Sequence, residues 1–131
     1  MKKLVFSLAI LASIFTGCSN DDEETPVVIT PATGEITGNF TASRSYAFGN
    51  YTLKGMVQIP AGVTVTFAAG STITCDKTTG ENGLIVLNGG KLIAEGTASE
   101  PIVFTSVQKS SGDWAGIIMY GDAPIVNNAS N

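Results

Sequence analysis

The chain has 131 residues, a formal net charge of −4 and no histidine. An acidic chain without a basic patch is not expected to bind nucleic acid. The lack of imidazole removes the usual base that activates a serine or cysteine nucleophile, and the length allows one small domain.

The N-terminal segment, 1–17, has the features of a secretory signal. Lys2 and Lys3 precede an apolar run, Leu4–Phe15, which is too short for a bilayer that needs about 20 residues. The following Gly-Cys junction resembles a bacterial lipobox, in which the cysteine sulfur is lipidated. We predict a signal peptide at 1–17 and a membrane anchor of palmitate-type acyl chains on Cys18; the alternative is an ordinary cleaved signal.

Residues 18–33 are predicted to form a disordered tether. The run Ser19–Pro26 is polar and acidic, so it cannot bury enough apolar area to fold. An acidic run directly after the cysteine is also similar to the surface-export signal of outer-membrane lipoproteins in some Gram-negative bacteria. We therefore expect the protein on the outer membrane, with its folded part on the extracellular face.

Residues 34–131 predict an all-β domain, because short runs rich in β-branched residues are separated by glycines and no helical period is sustained. The predicted strands are Met56–Ile59, Val63–Phe67, Ser71–Thr74, Leu84–Leu87, Lys91–Ala94, Ile102–Thr105, Trp114–Met119 and Pro124–Val126.

These runs match one another when the chain is shifted by about 20 residues and then by about 32, which is typical of a solenoid. In a parallel β-helix, equivalent side chains of successive coils form inward rows. A β-sandwich or jelly roll is the alternative, but it does not explain matched rows. The predicted rows are Val65-Ile85-Ile117, Phe67-Leu87-Met119 and Ile73-Ile93-Ile125.

Three segments resemble a family of Gram-negative surface lipoproteins that have a right-handed parallel β-helix. They are Pro101–Ser106, the Gly-Asp-Trp-x-Gly-Ile motif at 112–117, and Gly121–Ile125. The resemblance implies a few coils, and the early aromatic residues are predicted to pack as an N-terminal cap over the first of them: Phe40, Tyr46, Phe48 and Tyr51. Because family members continue with further coils, we expect either a C-terminal truncation or self-association through an uncapped last coil.

Three residues are candidate contacts with a ligand or partner. Val86 and Ile118 are predicted to lie on an outer stripe that becomes more apolar toward the C-terminus, and contiguous apolar surface usually marks a contact. Trp114 begins a predicted strand after a polar insertion and is the best single candidate for a contact with a ligand, such as a sugar, or with a partner. The alternative is that its ring packs in the core or at a corner.

No catalytic residue, metal site or cofactor is predicted. The acidic residues outside the tether fall in predicted turns and do not recur on neighbouring coils, as an acid–base pair would require. Asp76–Gly83 departs from the spacing of an EF-hand calcium loop.

The sequence thus indicates a lipid-anchored surface protein with a non-catalytic role in display, adhesion or glycan binding. Its partners would be the membrane, through Cys18, and a glycan or another surface protein. Two alternatives remain open. In the first alternative, the chain is a fragment of a polysaccharide lyase or hydrolase. In the second, it is a structural protein that assembles end to end.

Overall fold

The computed structural model describes residues 30–122. The predicted signal peptide, Cys18, most of the tether and the predicted strand Pro124–Val126 lie outside this range. Between residues 30 and 122 no helix is long and apolar enough to cross a membrane. The elements are β1 (Ala32–Thr37), β2 (Arg44–Tyr46), β3 (Gly49–Lys54), β4 (Met56–Ile59), β5 (Thr64–Phe67), β6 (Thr72–Asp76), a 3₁₀ turn (Lys77–Thr79), β7 (Gly83–Val86), β8 (Lys91–Ala94), β9 (Val103–Ser106) and β10 (Ile117–Met119).

The strands form three parallel sheets along a solenoid. Sheet 1 has the order β1-β3-β6-β9, sheet 2 the order β2-β5-β8, and sheet 3 the order β4-β7-β10. From β4 onward the chain visits sheets 3, 2 and 1 in turn, so each circuit adds one strand to every sheet. All pairings are parallel, and the architecture is the predicted parallel β-helix rather than a sandwich.

The predicted strands from Met56 to Met119 are present with small shifts at their ends, but β1, β2 and β3 were not predicted. β1 begins at Ala32, inside the range assigned to the tether. These first strands supply the layer beneath β5 and β6, with Tyr46 paired to Phe67 and Tyr51 to Ile73. The predicted N-terminal cap is therefore largely a coil of the solenoid.

The predicted rows are wrong in their offset. Val65 pairs with Leu92 rather than Ile85, and Phe67 pairs with Ala94 rather than Leu87. The shorter of the two predicted shifts brings β5 onto β7, which lies in a different sheet. The observed rows on sheet 3 are Val57-Leu84-Ile117 and Ile59-Val86-Met119.

The coils differ in length because two of the three corners take up extra residues. Corner 1–3, which joins sheet 1 to sheet 3, grows from Gly55 alone to residues 77–82 and then 107–116. The corner that joins sheet 2 to sheet 1 grows from residues 68–71 to 95–102. No single period can therefore superpose the coils.

The third corner, from sheet 3 to sheet 2, keeps its length at residues 60–63 and 87–90. Gly62 N–H donates to the Gly89 carbonyl at 2.9 Å, which links the two corners. Gly89 has a φ of 78°, a backbone conformation that side chains with a Cβ rarely adopt. A Cβ at Gly90 would collide with the Ile59 carbonyl, so the turn at residues 87–90 requires two glycines in succession, whereas the equivalent turn at residues 60–63 has Gly62 followed by Val63.

Val86 faces the interior, so its predicted place on the outer stripe is wrong. Its side chain is 5 % exposed and belongs to the core, whereas the preceding Ile85 is half-buried. Side chains alternate along a strand, so an error of one residue exchanges the two faces. Ile85 pairs with Ile118, and these two residues form the apolar outer stripe on sheet 3.

Aromatic rings connect the N-terminal coil to the C-terminal coil. Tyr46 stacks on Phe67 with ring centroids 5.0 Å apart, and Phe67 meets the edge of Phe104 at 5.9 Å. Phe104 lies parallel to Trp114 at 6.3 Å. We call Phe40, Tyr46, Phe67, Phe104 and Trp114 the aromatic column, since Phe40 also meets Tyr46 edge-on. It fixes the last coil to the buried core.

The inward row of the last coil is exposed within residues 30–122. Ile117 and Met119 pair with the buried Leu84 and Val86, but they are 37 % and 65 % exposed. No described strand pairs with the outer edge of β10. Self-association through this coil stays a prediction.

We expect Leu84→Ala to lower the free energy of unfolding by about 2–5 kcal/mol, because Leu84 is buried in the core and its truncation opens a cavity there. Ile85→Ala is the matched control on the same strand. It removes a half-buried side chain and should cost roughly half as much or less. Urea denaturation of both variants checks the assignment, and a larger loss for Ile85→Ala would contradict it.

A second prediction concerns pH. Burial raises the pKa of the Cys75 thiol to about 11, while an unfolded thiol titrates near ~8.5. The folded state thus holds this proton more tightly. Its contribution is complete below about pH 8.5 and is lost as the pH rises toward 11.

The stability of the parent chain should therefore fall relative to that of Cys75→Val over this alkaline range. Urea denaturation of both chains at about pH 7 and about pH 10 measures the difference. A difference that does not change with pH would mean that the thiol is not buried in the folded state.

Candidate functional site

Two loops at corner 1–3 are held in place by side-chain hydrogen bonds. The first loop, residues 77–82, is fixed at its start by Asp76. The Asp76 carboxylate accepts hydrogen bonds from the Thr78 N–H at 2.9 Å and from its hydroxyl at 2.6 Å. These bonds favour the charged form and hold the pKa of Asp76 below its ordinary value.

The second loop, residues 107–116, is organised by Asp113, which is buried. The Asp113 Oδ2 atom accepts hydrogen bonds from the Ser106 hydroxyl at 3.0 Å and from the Ser110 N–H at 2.9 Å. Ser106 Oγ in turn accepts from the Lys109 N–H at 3.0 Å. Because Ser106 is the last residue of β9, these bonds tie the loop to the end of sheet 1.

The two loops are joined to each other. The Lys77 ammonium donates to the Gly112 carbonyl at 3.0 Å, and the Ala115 N–H donates to the Asn82 carbonyl at 2.8 Å. Between the loops lies a groove of about 290 Å³. We call it the Trp114 groove; its walls are residues 77, 81, 82 and 112–115.

Trp114 is half-buried in the wall of this groove. It is the end of the aromatic column, and its contact with Phe104 holds the ring in place. The structure thus places Trp114 where a ligand could reach it, and its role as a contact stays a prediction. The other two candidates lie elsewhere, since Val86 is in the core and Ile118 belongs to the outer stripe on sheet 3.

Asn82 is the residue that sequence reasoning missed. It is 1 % exposed, and neither its Oδ1 nor its Nδ2 has a hydrogen-bond partner. An asparagine before a glycine is typical of a turn, and this pattern gave no indication of burial. Only the coil register, which places Asn82 beside β7 at the back of the groove, distinguishes it from the exposed asparagines.

The charges around the groove come from few groups. Glu81 and Asp113 carry carboxylates and Lys77 carries the ammonium. Within residues 30–122, no three side chains of His, Cys, Asp or Glu are grouped as metal ligands. The arrangement offers an aromatic surface and a few charges, which suits the binding of a polar molecule with one apolar face.

Cys75 lies beside a separate, smaller cavity of about 130 Å³, which is also lined by Asp76 and Val107. The thiolate is the nucleophilic form of cysteine, and burial raises the pKa of this thiol to about 11. It is therefore protonated near neutral pH. Cys75 therefore packs as a small apolar residue of the core.

Comparison with known proteins agrees with the geometry. No curated protein and no solved structure matches the chain. A family model described as a pectate-lyase-like beta helix domain matches residues 34–131, which include every strand from β2 to β10. The chain therefore belongs to the family of pectate-lyase-like beta helix domains.

Proposed function

We propose that this chain is a cell-surface protein, held by a lipid on Cys18, that binds glycans through the Trp114 groove without catalysing their cleavage. The observation that carries the proposal is the position of Trp114. Its ring lies in a groove and is supported from behind by Phe104. An aromatic ring that is already fixed loses little conformational entropy when a sugar stacks on it.

The polar groups around Trp114 support a sugar as the ligand. Sugar hydroxyls both donate and accept hydrogen bonds, and the groove offers a donor in Lys77 and an acceptor in Glu81. The loops that carry these groups are tied to the rigid sheets by Asp76 and Asp113. Such preorganisation favours binding.

A degradative enzyme is the competing function, and the family description, pectate-lyase-like, favours it. The carboxylates of the groove argue against an enzyme, because one of them already holds its own loop in place. Asp113 already accepts two hydrogen bonds that fix its loop, and the chain has no histidine. We therefore place catalysis second to binding.

The lipid anchor and the outer-membrane location rest on the sequence from Met1 to Pro26. A basic start, a short apolar run and the Gly-Cys junction support lipidation. The acidic run after Cys18 supports export to the extracellular face. A tether of this kind would hold the solenoid away from the membrane, where the Trp114 groove could meet extracellular glycans.

We expect Trp114→Ala to weaken glycan binding on an array by about tenfold or more, which corresponds to ~1.4 kcal/mol. Trp114→Phe should retain part of the affinity, because it keeps an aromatic ring next to Phe104. Tyr120→Ala is the matched control, since Tyr120 is an exposed aromatic of the same coil that lies outside the groove.

Equal binding by Trp114→Ala and by the parent chain would contradict the proposed site. Thermal unfolding of both variants separates loss of the site from loss of the fold. Release of product from acidic polysaccharides, assayed with and without calcium, tests the competing function. Cleavage that depends on the groove carboxylates would show that the chain is an enzyme and would contradict binding without catalysis.

Lipidation makes a separate prediction. In Gram-negative cells fed a labelled palmitate analogue, the parent chain and Cys75→Ser should carry the label and fractionate with the outer membrane. Cys18→Ser should carry no label and should no longer fractionate with the outer membrane. Since Cys18 and Cys75 are the two cysteines of the chain, this pair provides its own control. Label retained on Cys18→Ser would exclude the anchor.

A further inference from the structure

We infer that Asn88 is a site of spontaneous deamidation, at which the side-chain amide is converted to the carboxylate of aspartate or isoaspartate, and that Asn82 is protected from the same reaction. Both asparagines precede a glycine, so the local sequence gives them similar reactivity. The structure, however, places the two Asn-Gly pairs in opposite environments. The inference is independent of the proposed glycan binding.

Deamidation begins at the backbone nitrogen of the residue after the asparagine. This nitrogen loses its proton to water or hydroxide and attacks the asparagine Cγ atom, which closes a five-membered succinimide ring. The Cγ–Nδ2 bond breaks, and ammonia leaves with a proton taken from solvent. Water then opens the ring at Cγ to give aspartate, or at the backbone carbonyl carbon to give isoaspartate. The net change exchanges an amide for a carboxylic acid, with no oxidation or reduction.

Ring closure has three structural requirements. The attacking nitrogen must be free of hydrogen bonds, the asparagine side chain must be able to rotate toward it, and water must reach both groups. A glycine after the asparagine favours the reaction, because it has no Cβ to obstruct the approach.

Asn88 meets these requirements. It is exposed and occupies the second position of the turn 87–90, which is closed by a hydrogen bond from the Gly90 N–H to the Leu87 carbonyl at 2.8 Å. Such a turn leaves its central peptide unpaired. Within residues 30–122, the Gly89 N–H and the carbonyl and amide of Asn88 have no hydrogen-bond partner. Gly89 is also exposed, so water reaches the attacking nitrogen.

Asn82 does not meet them. Its side chain is 1 % exposed, and the following Gly83 is buried as well. The Gly83 N–H donates to the Gly55 carbonyl at 3.2 Å, and the Asn82 carbonyl accepts from the Ala115 N–H at 2.8 Å. The peptide between Asn82 and Gly83 is therefore held on both sides, and ring closure requires the Gly83 hydrogen bond to break.

The two sites should therefore react at different rates in the folded chain. Reaction at Asn82 requires sheet 3 to open locally at β7, whereas Asn88 reacts without any opening. We expect deamidation at Asn88 to be at least about tenfold faster than at Asn82, the factor that corresponds to the loss of one hydrogen bond.

The test follows both sites in one peptide. The purified chain is incubated at mildly alkaline pH, and samples taken over time are digested with trypsin, which cuts after Lys77 and Lys91 and releases both asparagines in the peptide 78–91. Tandem mass spectrometry assigns the mass gain to one asparagine or the other. A parallel incubation in guanidinium chloride unfolds the chain and is the matched control, in which the two sites should react at similar rates.

The isoaspartate product should also weaken the turn. Its backbone runs through Cβ and Cγ, which adds one carbon to the turn 87–90 and should displace the Gly89 carbonyl from the Gly62 N–H, now 2.9 Å away. We expect the isoaspartate form, separated by chromatography, to melt about 4–8 °C below the parent chain, the shift for one lost hydrogen bond in a domain of this size. Asn88→Asp carries the charge without the extra carbon and should melt with the parent chain.

The outcomes are distinct. Conversion of Asn88 in the folded chain, with Asn82 converted at a similar rate only after unfolding, supports the inference. A reaction at Asn88 that is no faster than at Asn82 in the folded chain would overturn it, and so would a ratio of rates that unfolding does not change. An isoaspartate form that melts with the parent chain would keep the site of deamidation and overturn its effect on the turn.

Discussion

The parallel pairing of successive coils is the constraint on which the rest of the structure depends. In each sheet the residue that faces inward on one strand meets an inward residue on the next, as Val57 meets Leu84. No coil encloses a core by itself; apolar area is removed from water only where coils stack. Because the strands are short, each contributes only one or two side chains to this contact. The position of every loop therefore follows from the register of the strands that flank it.

Much of this architecture could be predicted from the sequence. Alternation of β-branched and polar residues located most strands from Met56 onward, and glycines marked the corners. The register could not be obtained in the same way. The predicted offset matched Val65 to Ile85 because both are aliphatic, although their strands belong to different sheets. Loops of unequal length hide the true repeat, and hydrogen bonds between strands, not residue spacing, determine which side chains meet.

The residues of the candidate site also differ in how far the sequence could predict their positions. Trp114 could be chosen as a candidate, because a lone tryptophan after a polar insertion is chemically conspicuous, and the structure places it in the wall of the groove. Val86 could not be placed, since one residue of register decides between the core and the surface. Asn82 had no distinguishing sequence feature at all. Its burial results from the approach of residues 107–116 across corner 1–3, a contact between segments that are distant in the chain.

The corner of constant length and the corner that lengthens have different roles in the solenoid. The turn from sheet 3 to sheet 2 keeps the same length and a glycine with positive φ at residues 60–63 and 87–90, so it joins the two sheets in the same way in both coils. Corner 1–3 lengthens with each circuit while the strands on either side stay in step. Insertions can accumulate there without disturbing the buried rows. A scaffold of this kind can acquire new recognition surfaces by evolution of one edge, while the apolar interior that keeps it folded is inherited unchanged.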